Sequence, residues 1–129
     1  MISVLFSIRQ RLRIIISLIY LSCTAILSLV PPKSLPQIQL FPGADKIVHA
    51  GLYLGLAFLA CWSMPAGVKR SWYYYVIIFS VVWGILMEIF QFIMHQGRSF
   101  EFNDVISNIT GTLIGVYFYI LLSGFKTKI

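Results

Sequence analysis

Charge is scarce in this sequence. Only 11% of its 129 residues are Asp, Glu, Lys or Arg, and only four of those are acidic; an ordinary soluble domain carries roughly 25% charged residues. Hydrophobic residues reach 59%, and the mean hydropathy is +0.87. A soluble domain of this size has too little interior to hide so much apolar surface. Lipid as the solvent removes the contradiction. Cysteine is also rare: Cys23 and Cys61 both fall inside apolar runs, too few for a disulfide framework and without metal-ligand spacing. We read both as small core residues. There is no internal repeat and no low-complexity tract, and residues 1–129 suit a single domain.

The formal net charge is +6, but the basic residues do not form a stripe. They stand in short clusters between apolar runs, as loop charges of a membrane protein do, which argues against nucleic acid as a partner. The apolar runs are Ile14–Val30, Ile47–Met64, Trp72–Met94 and Val105–Leu122. At about 1.5 Å per residue each can cross a hydrocarbon core of roughly 30 Å. Helices are the form expected, because an open strand would leave its backbone groups unpaired in lipid. The fold expected is therefore all-α, a bundle of four antiparallel transmembrane helices. The first run follows Arg9, Arg11 and Arg13 but leads to no small-x-small cleavage pattern, so it is expected to stay as a helix rather than be removed as a signal peptide. Four prolines between Pro31 and Gly43 mark the loop after it.

Four spans place the chain ends and the middle loop on one side, with Arg9, Arg11, Arg13, Lys69, Arg70, Lys126 and Lys128. The other side holds Lys33, Lys46 and Arg98. The positive-inside bias then predicts a cytoplasmic (inner) membrane protein with both termini cytoplasmic. Trp62, Trp72 and Tyr73 to Tyr75 would form an aromatic belt at the inner interface.

On that topology the polar residues of the apolar runs converge beneath the outer face. Asp45 and His49 are four apart on one helical face, with Lys46 beside them. Glu88 and Gln91 are three apart on the next helix, and His95 continues their stripe. Asp104, Asn108, Gly111 and Gly115 follow at intervals of four, three and four, a polar-to-small stripe down one side. By the helical rise, His49 and Asn108 lie roughly 6 Å inside and Glu88 roughly 9 Å. Taken singly, Asp45 and Asp104 read as helix caps, Lys46 and Arg98 as interfacial charges, and the two glycines as a packing seam. Glu88 resists so plain a reading. A carboxylate at membrane depth costs on the order of 2.5 kcal/mol or more and should face protein.

These residues resemble the VanZ-like family of small bacterial membrane proteins. The resemblance covers about residues 43–117: an Asp-Lys-x-x-His opening (Asp45, Lys46, His49), a Glu-x-x-Gln (Glu88, Gln91), then Arg98, Asp104, Asn108, Gly111 and Gly115. The family often has Pro-Gly-Arg where this chain has Gln96-Gly97-Arg98. The resemblance implies a cell-envelope role, since the namesake member is associated with low-level resistance to the lipoglycopeptide teicoplanin.

The leading expectation is an outward polar site for an anionic amphiphile: a lipid headgroup, a lipid-linked cell-wall precursor or a lipoglycopeptide antibiotic. Lys46 and Arg98 would hold phosphate or carboxylate. Glu88, His49 and Asp104 would position polar groups or transfer protons, with Gln91 and Asn108 orienting them and Asp45 among the ligand-binding residues. An alternative is a membrane-embedded hydrolase or transferase on a lipid-linked substrate, with His49 as base and Glu88 as acid. Its metal-dependent variant would use His49, Glu88 and Asp104 as ligands, although no metal or other cofactor is the default expectation. A small transporter working as a homodimer ranks third.

Overall fold

The structure is a computed structural model, and it describes residues 2–31, 41–94 and 99–126. Every regular element among them is helical: α1 (Ile2–Ser7), α2 (Gln10–Leu29), α3 (Ala44–Ser63), α4 (Ser71–Ile93) and α5 (Phe102–Lys126). The last four are long and apolar enough to cross a membrane. Their outward faces suit lipid, with Ile19, Ile78 and Tyr117 each more than half exposed.

The helices begin before the apolar runs do. Arg11 and Arg13 belong to α2, whose first turns carry charge into the helix. Arg9, in an extended conformation (φ −56°, ψ 136°), separates α2 from the short α1, which hydropathy alone does not indicate. Asp45 does not cap α3. Gly43 holds that position with φ 85°, a left-handed conformation that a side chain would strain, and Asp45 stands in the first turn, where it favours the helix dipole.

Three bonds from side chains of α2 to carbonyls of α3 fix the register of that pair. Arg13 Nη1 donates to the Trp62 carbonyl (2.7 Å), Ser17 Oγ to that of Leu59 (2.9 Å) and Tyr20 OH to that of Leu52 (3.0 Å). Gln91 Nε2 on α4 donates to the Ser28 carbonyl at the end of α2 (2.7 Å). In a layer without water such bonds take the place that hydrophobic association has in a soluble core.

The most extensive interface joins α3 to α5, and glycine makes it possible. A methyl group at Gly111 would run into the Ala50 carbonyl, with the carbonyl carbon at 2.7 Å; one at Gly115 would meet Leu54 in the same way. The expected seam is therefore present, and its partner is α3. At the end of the bundle carrying Arg13, a small core of Ala57, Cys61, Val76 and Val116 packs beneath Tyr73 and Tyr119.

Two expectations about single residues change. Trp62 is buried, not part of a lipid-facing belt: its indole donates to the Leu5 carbonyl (2.9 Å) and ties α1 to the end of α3. Trp72, Tyr74 and Tyr75 do face outward. Cys61 is a core residue, whereas Cys23 lies on the exposed side of α2.

Gly111→Ala and Gly115→Ala should each destabilise the fold by about 1–3 kcal/mol, the usual cost of forcing an extra methyl group into close packing. Gly51→Ala, with open space around it, should change the melting temperature little. Thermal melts of the three variants in detergent micelles check this, and equal shifts would refute the seam.

Candidate functional site

α3, α4 and α5 bring their polar residues to the end of the bundle opposite Arg13. The α3–α5 seam sets the spacing, because Gly111 and Gly115 let α5 lie close enough for its preceding turns to meet the start of α3. Asp104, Asn108, Gly111, Thr112 and Gly115 are all buried on this side of α5. Glu88 on α4 is 1% exposed.

Lys46 is the hub. Its ammonium forms salt bridges with Asp45 Oδ2 (2.9 Å), Glu101 Oε2 and Asp104 Oδ1. The Asp45 and Glu101 side chains are more than half exposed, and exposed pairs contribute only about 0–1 kcal/mol. Asp104 is 8% exposed, so its pair with Lys46 is the one that offsets a real desolvation cost.

Asp104 has a second neighbour. Its other oxygen, Oδ2, lies 3.8 Å from His49 Nε2. On the far side of the imidazole, His49 Nδ1 is 3.3 Å from Asn108 Oδ1. A side-chain amide oxygen only accepts, so this contact is a hydrogen bond when Nδ1 carries a proton. Ligand atoms of His49, Glu88 and Asp104 all lie within 4.8 Å of one another. A carboxylate–imidazole–carboxylate cluster of this kind can exchange protons or hold a cation.

Of the residues expected to form a site, the half-buried His49 and the buried Glu88, Asp104 and Asn108 come together in one group. Lys46 adjoins it, but with an ammonium already shared among three of the protein's own carboxylates. Asp45 is a rim residue. Gln91 is turned away from the cluster toward the end of α2, where its amide serves packing. Arg98 and His95 lie outside the described residues, as do Lys33 and most of the proline-rich loop. Glu101 joins the cluster through Lys46 although no spacing rule marks it. Tyr53 also belongs to this neighbourhood: it sits one turn beyond His49, 1% exposed, with its ring against Gly84, one turn from Glu88. A tyrosine inside an apolar run carries no sequence signal of its own.

The consequence for charge is simple. All four acidic residues of the chain are in this cluster. Among the described residues, one lysine and one histidine face them. A cavity of about 490 Å³ at the opposite end, lined by Phe6, Arg13, Tyr73 and Tyr119 among others, has no acid or histidine in its wall.

Four helices long and apolar enough to cross a membrane, three of them sharing such a cluster, define a multi-pass membrane protein. The chain belongs to the VanZ/LLP1 family, whose model matches residues 1–123 and so takes in α1 and α2 as well as the motif-bearing helices. No curated protein and no solved structure matches it.

Removing the hub should cost more than removing its rim partners. Lys46→Met and Asp104→Asn should each lower stability by about 1–3 kcal/mol, by leaving a desolvated polar group without its partner. Asp45→Asn and Glu101→Gln should stay below about 1 kcal/mol. Chemical denaturation in mixed micelles ranks the four variants, and a larger loss at Asp45 than at Asp104 would contradict the geometry.

Proposed function

We propose that this VanZ/LLP1 protein is a membrane-embedded hydrolase or transferase that acts on the headgroup of a lipid-linked, anionic substrate of the bacterial cell envelope. The observation that carries the reading is the group formed by half-buried His49 and buried Glu88 and Asp104, one residue from each of three helices, with ligand atoms within 4.8 Å of one another. A site that only held an anion would present free cations. Here the described cation, Lys46, is already occupied by three carboxylates, which moves the catalytic alternative ahead of simple binding.

In this reading His49 Nε2 is the general base, with its tautomer held by Asn108, and Glu88 is the acid. Lys46 fixes Asp104 beside the imidazole. The acyl part of the substrate would stay in lipid beside the exposed Ile47 and Phe102, with its headgroup reaching the cluster from the rim. Both termini would be cytoplasmic and the cluster would face outward, as the distribution of Lys and Arg requires. Arg13 and the Lys69-Arg70 loop are at the other end of the bundle, which supports that orientation. A second reading, in which the protein shields or binds a lipoglycopeptide without chemistry, draws on the family's association with teicoplanin resistance.

Untargeted mass spectrometry of lipids and lipid-linked wall precursors decides between them. Cells lacking the protein, cells with it restored and cells carrying Glu88→Gln are compared. The catalytic reading expects one species to accumulate in the deletion and in Glu88→Gln while its product is lost. Identical lipid profiles, with altered lipoglycopeptide binding at the surface, would replace it with the shielding reading.

A further inference from the structure

Two carboxylates of the cluster are almost wholly buried, Glu88 at 1% and Asp104 at 8% exposure, in a layer where an ionised group is costly. Lys46 meets Asp104, and its ammonium is shared with Asp45 and Glu101. His49 presents Nε2 to Asp104 at 3.8 Å, too far for a hydrogen bond. That separation is inside the about 4.2 Å that two atoms can span when each is about 2.1 Å from one ion.

The surroundings of the pair follow the same logic. A metal-bound histidine usually donates its other ring N–H to an oxygen, which fixes tautomer and orientation, and His49 Nδ1 faces Asn108 Oδ1 at 3.3 Å. Asp104 is held in turn: Lys46 takes Oδ1 and leaves Oδ2 for the cluster. One turn beyond His49 the Tyr53 hydroxyl is fully buried and has no hydrogen-bond partner among the described residues. Buried hydroxyls are normally satisfied, and an ion with its bound water is one way to satisfy this one.

We propose that His49 Nε2, Asp104 Oδ2 and a Glu88 carboxylate oxygen form a site for one divalent transition-metal cation, Zn²⁺ or Mn²⁺. One imidazole and two carboxylates suit these ions better than a soft-metal site would. Three protein ligands leave a coordination position open, as catalytic rather than structural metal sites do. A cation there supplies the positive charge that an anionic headgroup needs in a cluster otherwise dominated by acids, and when bound it polarises a phosphoryl or carbonyl oxygen. The inference deepens the reading of the preceding section by naming the source of that charge, and with the ion bound His49 Nε2 and Glu88 would serve as ligands in place of the base and acid roles; it rests on the same cluster but not on catalysis taking place.

The test uses the full chain purified in detergent micelles, stripped with a chelator and titrated with Mn²⁺ while the electron paramagnetic resonance signal of free Mn²⁺ is followed; Zn²⁺ then competes. Wild type should bind one ion per chain. Glu88→Gln, His49→Gln and Asp104→Asn should each weaken binding at least tenfold, and Asn108→Ala about tenfold or more through the imidazole. Glu101→Gln should bind as wild type does. Each variant is also melted with and without Zn²⁺, and wild type should gain stability that Glu88→Gln does not, so the proposal stays testable if one variant folds poorly. Absence of binding by wild type at millimolar Mn²⁺ would overturn the site. Loss of binding in Glu101→Gln but not in Glu88→Gln would overturn it too, by moving the ion to the Lys46 carboxylates. Metal bound at the cluster with lipid profiles unchanged in Glu88→Gln cells would uphold the site and remove the catalytic reading. A changed profile without metal binding would do the reverse.

Discussion

The cost of an ionised group away from water governs this molecule. Lipid repays no exposed carboxylate, so each acid must find a partner inside the protein or lie at its edge. All four acids accordingly gather at one end of the bundle: Asp45 and Glu101 on the rim, Asp104 and Glu88 below. Lys46 answers three of them, and His49 lies close to the two that are deepest. The rest of the fold is arranged so that three helices can deliver these groups to one place.

The delivery depends on how closely two helices approach. Gly111 and Gly115 remove the side chains that would hold α5 away from the backbone of α3. That approach aligns Asp104 with Lys46 and Asn108 with His49, one turn after another along the same seam. Packing and chemistry are thus coupled. A change that pushed α5 outward by the width of a methyl group would loosen the site before it unfolded the bundle. α2 contributes differently, through Arg13, Ser17 and Tyr20 bonding to carbonyls of α3 on its other side. Its bonds hold α3 in register without placing a charged or histidine side chain in the cluster.

Much of the site was legible because helical periodicity and lipid together restrict where polar residues can point. The i, i+4 relation of Asp104 to Asn108 and the depth of Glu88 were enough to put those three side chains inside the bundle. Periodicity says nothing of which oxygen meets which nitrogen, however. Lys46 illustrates the gap: its position next to the membrane face suggested a free cation for a ligand, but three carboxylates from two helices and a loop claim its ammonium. Gln91 shares Glu88's face yet bonds to the end of α2, because a face is wide enough to meet two different neighbours. Glu101 and Tyr53 escaped notice for opposite reasons, one as an ordinary loop acid and the other as an ordinary apolar-run aromatic.

By itself the sequence determined the solvent, the number of crossings and the set of polar residues forced inward, since composition and run length fix those through the energetics of lipid. The VanZ-like motif order was visible there as well. Tertiary structure alone decided the pairings: Lys46 bound to Asp45, Glu101 and Asp104, His49 set against Asn108, and Trp62 fastened to Leu5 rather than facing lipid. These depend on distances between helices far apart in the chain, and such distances come from the shape of the packed surfaces, which local residue spacing does not encode.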